Sequence, residues 1–97
     1  MRRLALVALV AAVVAGCAGE EAARRVRIVG ARPASCPVVE ARLRGRGDNV
    51  TTAMRDLRRR AARRGATDIV VTDGPRSDGN MQVVDAIGYA CAGPTAP

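Results

Sequence analysis

"LRRRAARRGATDIVV", residues Leu57 to Val71, contains the change of hydrophobic period that decides the fold. Up to Arg64 the apolar positions recur at helical spacing, and after Gly65 they become a β-branched run. A period near 3.6 belongs to a helix with one buried stripe, whereas a short β-branched run belongs to a strand. The glycine between them stands where a helix commonly ends in a left-handed residue. The stretch therefore predicts a helix that stops at Gly65, followed at once by a strand that ends in a turn at Gly74.

Reading towards the amino end, Asp48 or Asn49 has a side chain able to cap the helix. From there Val50, Ala53, Met54, Leu57 and Ala61 form one apolar stripe, with Arg55, Arg58, Arg59 and Arg63 mainly on the opposite side. Arginines gathered at the carboxyl end also suit the helix dipole. Downstream, "GPRSDGN" (Gly74 to Asn80) has the chemistry of a hairpin loop longer than two residues, and Met81 to Cys91 supplies the returning strand. Gly88 within it marks a bulge or a close backbone approach. Upstream, Val26 to Ala31 reads as a first strand. Cys36 to Gly45 reads as a second, with Val39, Ala41 and Leu43 on one side and Glu40, Arg42 and Arg44 on the other. Gly45 to Asn49 then reads as a turn. The expected fold class is α+β, in the order strand, strand, helix, strand, strand: one helix on a small, mainly antiparallel sheet.

With 97 residues the chain makes one small domain. Nearly half the residues are apolar, but mostly as Ala and Val, with no Phe or Trp and Tyr89 as the only aromatic. A core of such small side chains is marginal without a covalent staple. All sixteen basic residues are arginine, there is no histidine, and the formal charge is +7.

The first residues read as an address. Met1, Arg2 and Arg3 form a short positive start, followed by eleven apolar residues from Leu4 to Val14. A helix needs about twenty apolar residues to span a bilayer, so this run fits the core of a secretory signal instead. "VAGC" (Val14 to Cys17) resembles the bacterial lipobox. The resemblance implies diacylglycerol on the Cys17 sulfur, cleavage after Gly16 and a third acyl chain on the new amino terminus. Two or more acyl chains hold a protein stably on a membrane. By resemblance to lipoprotein sorting in two-membrane bacteria, Ala18 in place of Asp favours the outer membrane, facing the periplasm. The expected layout is a lipoprotein signal peptide over 1–16, lipidated Cys17 and a short tether over 17–25, the domain over 26–92 and a tail over 93–97. Losing Arg2 and Arg3 leaves fourteen arginines against nine acids, a formal +5.

Cys36 and Cys91 then remain as an even pair in an oxidising compartment, where disulfides persist. A bridge between them closes a loop worth about 4 kcal/mol in the chain-entropy model. A redox pair and a metal site are the alternatives, but there is no CxxC spacing, and two thiols without histidine make a poor zinc site. The expectation is a structural disulfide, with no metal and no cofactor.

Leu57 to Val71, the close "YAC" (Tyr89 to Cys91) and the upstream Cys36 together resemble a group of small bacterial envelope lipoproteins. One branch is an uncharacterised family; another is the outer-membrane lipoprotein that senses envelope stress for the Rcs phosphorelay. The likeness spans Cys36 to Cys91. The Rcs sensor has four cysteines in its domain and a long proline-rich linker, so the uncharacterised branch is the closer match.

Catalytic chemistry is not expected. Without histidine, acid–base work would fall to carboxylates such as Asp73, Asp78 and Asp85, which read as turn and hairpin residues, and Ser35 and Ser77 have no visible base. The expected function is that of a non-enzymatic envelope lipoprotein, held by the Cys17 anchor and contacting other envelope components in a structural or stress-sensing role. The alternative is recognition of an anionic lipid or envelope polyanion by Arg55, Arg58, Arg59 and Arg63. Nucleic acid is not an expected partner, because no aromatic stacking residues accompany the arginines.

Overall fold

The computed structural model describes residues 20–91. The expected signal peptide over 1–16, the lipidation site Cys17 and the tail over 93–97 lie outside the described residues. Residues 20–25 are helical (α1). They are followed by β1 (Arg27–Val29), β2 (Val38–Gly47), α2 (Val50–Arg63), β3 (Asp68–Asp78) and β4 (Met81–Tyr89). The chain is α+β, with the predicted order of four strands and one main helix.

Local chemistry sets both ends of α2. The Asn49 side chain accepts a hydrogen bond of 2.9 Å from the Thr52 backbone N–H and so caps the amino end. At the carboxyl end Gly65 takes φ +79°. There the Ala66 N–H donates to the Ala61 carbonyl at 2.9 Å and the Gly65 N–H to the Ala62 carbonyl at 3.0 Å. This crossed pair is the Schellman arrangement, and it turns the chain directly into β3.

The four strands form one sheet in the order β1-β3-β4-β2. Central β4 runs antiparallel to both neighbours, while β1 runs parallel to β3. The first two strands therefore make no hairpin with each other and become the two opposite edges. The sheet is mainly antiparallel with one parallel pair.

The face assignment of β2 differs from the predicted alternation. Val38 pairs with Tyr89, Glu40 with Gly88 and Leu43 with Ala86, so β2 carries an extra residue at each of two steps. Each bulge shifts the side-chain alternation by one position. The face towards α2 becomes Leu43, Gly45 and Gly47, while Val39 and Ala41 are exposed. Gly45 to Gly47 is thus strand rather than turn, and its glycines admit the helix. A Cβ on Gly45 would meet the Ala53 carbonyl oxygen and lie 2.6 Å from Leu57 Cβ. Ala53, Leu57 and Ala61, all 0% exposed, sit over this step and pack with Leu43, Ile69, Val84 and Ala86.

The predicted loop from Gly74 to Asn80 is also mostly strand. β3 continues to Asp78, which pairs with Met81 across a two-residue turn of Gly79 and Asn80. Extra residues between Val71 and Asp73 and between Asp73 and Arg76 are the bulges that accommodate Gly74 and Pro75.

The expected tether is corrected as well. Residues 20–25 are helical, and Ala23 and Val26 are 5% and 3% exposed, so the folded unit begins ahead of residue 26.

Candidate functional site

The arginines of α2 and of its carboxyl cap line two different flanks. Arg55, Arg58 and Arg59 face the flank shared with α1, whereas Arg60, Arg63 and Arg64 face the flank shared with β2. Three of the four predicted anion-binding arginines are brought together, and Arg63 is not among them.

The first flank is a groove of about 660 Å³. Ala23, Ile28, Val50 and Met54 give it an apolar floor, and Arg24, Arg55, Arg58 and Arg59 give it a basic rim. Glu20 is the only acid in the lining, so the lining carries a net charge of +3. Arg59 Nε lies 2.9 Å from the Glu20 carboxylate. Its geometry is that of an ion pair rather than an aligned hydrogen bond. Among the described residues, Arg24, Arg55 and Arg58 have no carboxylate within ion-pair distance. Arg58 Nε is shielded from solvent and has no acceptor.

Arg24 and Ile28 are not among the predicted site residues, because the sequence reads their segment as tether and strand. A signal was present: Glu20 and Glu21 precede Arg24 and Arg25 by four residues, the spacing of helical ion pairs. Glu21 and Arg25 do pair, at 3.6 Å.

Arg63 lies in a smaller cleft of about 320 Å³ with Arg42, Arg44, Arg60 and Arg64. Glu40, the one acid in its lining, is 3.5 Å from Arg64, and Arg60 pairs with Asp56 outside the lining at 3.0 Å.

The bulges of β3 and β2 assemble an ion network on the sheet face away from α2. Arg44 donates to Asp85 at 2.7 Å, and Arg76 donates to both Asp85 at 2.9 Å and Asp73 at 2.8 Å. Two of the three hairpin carboxylates are thus bridged by one guanidinium, while Asp78 sits at the turn. The hydrogen bond from Arg44, seconded by Arg76, holds the Asp85 carboxyl below its ordinary range against the opposing effect of desolvation. The same contact holds the Arg44 guanidinium above its ordinary range. A depressed folded-state value means that the unfolded chain binds this proton more readily. The network's contribution is therefore complete above the ordinary carboxylate range and is lost as pH falls through the folded value. D85N is expected to lower the urea midpoint modestly at neutral pH, with the gap to wild type closing in acid. A gap that persisted unchanged in acid would place the effect elsewhere.

Cys36 and Cys91 are bonded, with Cα atoms 4.7 Å apart. Thr67, from the stretch that opens the strand, anchors this end of the sheet. Its Oγ1 accepts from the Cys91 N–H at 2.8 Å and donates to the Asp68 carboxylate at 2.8 Å. Asp68, 1% exposed, is also held by Arg27 of β1 at 2.8 Å. Arg32 lies over the buried Tyr89 ring, 5.8 Å from its centroid.

Among the described residues, no helix is long and apolar enough to cross a membrane. No cluster of three or more Cys, His, Asp or Glu able to hold a metal ion occurs among them either. The chain matches no protein-family model, no curated protein and no solved structure.

Proposed function

We propose that this chain is a lipid-anchored, non-enzymatic lipoprotein of the bacterial envelope whose small domain contacts other envelope components. The observation that carries the reading is the Cys36–Cys91 bond, because such bonds persist in oxidising compartments and the amino-terminal sequence offers a route to one. Ala18 favours the outer membrane. A structural or stress-sensing role rests on the resemblance to envelope lipoproteins. Mass spectrometry of the membrane fraction tests the whole reading. The expected result is a mature amino terminus at triacylated Cys17 and a crosslinked Cys36–Cys91 peptide. An uncut precursor with three free thiols in the cytosol would refute it.

A second reading, contact with anionic lipid through the arginine-bearing helix, is supported by the gathering of Arg55, Arg58 and Arg59 on one groove. A basic side chain near an anionic surface contributes about 1 kcal/mol, so neutralising Arg55 and Arg58 is expected to weaken vesicle binding by roughly thirtyfold at low salt. Flotation of the chain lacking acyl groups with phosphatidylglycerol vesicles measures this. Equal binding by wild type and R55Q/R58Q would remove the reading.

A further inference from the structure

We propose that the groove between α1 and α2 seats a single anionic phospholipid, its phosphate on Arg24, Arg55 and Arg58 and its first acyl carbons on Ile28, Val50 and Met54. This deepens the second reading and rests on it.

Charge complementarity selects the headgroup. All nine acidic side chains of the protein lie among the described residues, yet none of them pairs with Arg24, Arg55 or Arg58. Guanidinium groups recognise phosphate oxygens by forked, charge-assisted hydrogen bonds. Arg58 Nε is withdrawn from water without an acceptor, so turning its guanidinium towards a phosphate gives up no existing hydrogen bond at that atom.

The floor selects an amphiphile over a purely ionic polymer. Among the described residues five large apolar side chains are exposed, and two of them, Ile28 at 45% and Val50 at 44%, line this groove. A polyphosphate or acidic polysaccharide would satisfy the rim and leave that surface wet. The protein's own acyl chains would cover the floor and leave the rim unpaired. A phospholipid satisfies both, and about 660 Å³ lies within the usual range of small-ligand sites.

Acylation of Cys17, as proposed above, would place the groove where such a ligand is found. Glu20 on the groove lining follows Cys17 by three positions, a span of at most about 11 Å. Acyl groups on Cys17 would keep the groove at headgroup depth.

The test reconstitutes the full protein, as purified from membranes, into phosphatidylcholine vesicles. These carry phosphatidylglycerol with a photoreactive group near the carbonyl end of one acyl chain. Crosslinks are expected at Ile28 and within Val50–Arg55, with a yield roughly tenfold above that of the equivalent phosphatidylcholine probe and a similar loss in R55E/R58E. I28S should lower the yield while retaining the preference for the anionic probe. Crosslinks confined to other surfaces, with the anionic preference intact, overturn the groove and leave the second reading standing. Equal yields from the two probes overturn both. Loss of the crosslink to soluble glycerol phosphate would assign the rim to a small phosphate ester and overturn the lipid. The position of the wild-type crosslink decides the matter even if R55E/R58E fails to fold, which its disulfide and circular dichroism report. The intact mass of the same sample reports acylation of Cys17 separately.

Discussion

Reduction of the Cys36–Cys91 bond is expected to lower the stability of the domain by about 4 kcal/mol, which for a domain of this size is a fall in Tm on the order of 20 °C. The two cysteines are 55 residues apart, and the loop they close holds β2, α2, β3 and β4. Opening it returns the denatured chain most of the freedom that the bridge removed. Little else in the molecule offsets such a loss. Its largest fully buried apolar side chains are Leu57, Ile69, Val83 and Val84, and the helix meets the sheet largely through alanine and glycine. Because small domains are stable by only about 5–15 kcal/mol, the reduced protein should be partly unfolded at growth temperature. Urea unfolding of the oxidised protein, the reduced and alkylated protein and C36S/C91S measures the difference. Coincident midpoints would show that the loop is held by packing alone.

G45V should be nearly as damaging, for a steric reason. Any Cβ at Gly45 lies 2.8 Å from the Leu57 backbone nitrogen and against the Ala53 carbonyl, both fixed parts of α2. Backbone cannot rotate away as the tip of a flexible side chain can, so the helix must lift from β2. Lifting it uncovers Leu43 and Leu57 together. Overpacking commonly costs about 1–3 kcal/mol, and separation from two buried leucines takes the expected loss to the upper end or beyond. G30A is the control, since nothing lies within 4 Å of a Cβ at Gly30. Thermal melting should separate the two variants clearly. Similar melts would mean that α2 adjusts its position over the strand at little cost.

The main helix was legible because its signals are local. Asn49, the buried stripe of Ala53, Leu57 and Ala61 and the left-handed Gly65 all lie within one segment and agree, whereas Val50, expected in that stripe, is exposed. The face of β2 was not legible, because the residues that shift its alternation are defined only by their partners on β4. Pro75 and Gly74 carry loop chemistry, yet bulges let them sit inside β3. The short helix at 20–25 is too brief for periodicity, and only its ion-pair spacing betrays it. The arginines of α2 were readable as a group. Their division between two flanks is set by α1 on one side and β2 on the other, and the groove needs α1 and Ile28, which the sequence places in other roles.

The outer position of β1 gives the molecule a graded response to mechanical load. Tension drawn through the chain ahead of β1 arrives at a three-residue rim strand, held by a short ladder, the Arg27–Asp68 contact and the packing of Val26 into the core. That strand lies outside the covalent ring, so it can peel away while everything beyond Cys36 stays closed. Extended fully, the sixteen residue steps from Glu20 to Cys36 span at most about 58 Å before the force meets a covalent stop. A pull from the amino side is therefore absorbed as a limited lengthening that leaves the rest of the domain in shape.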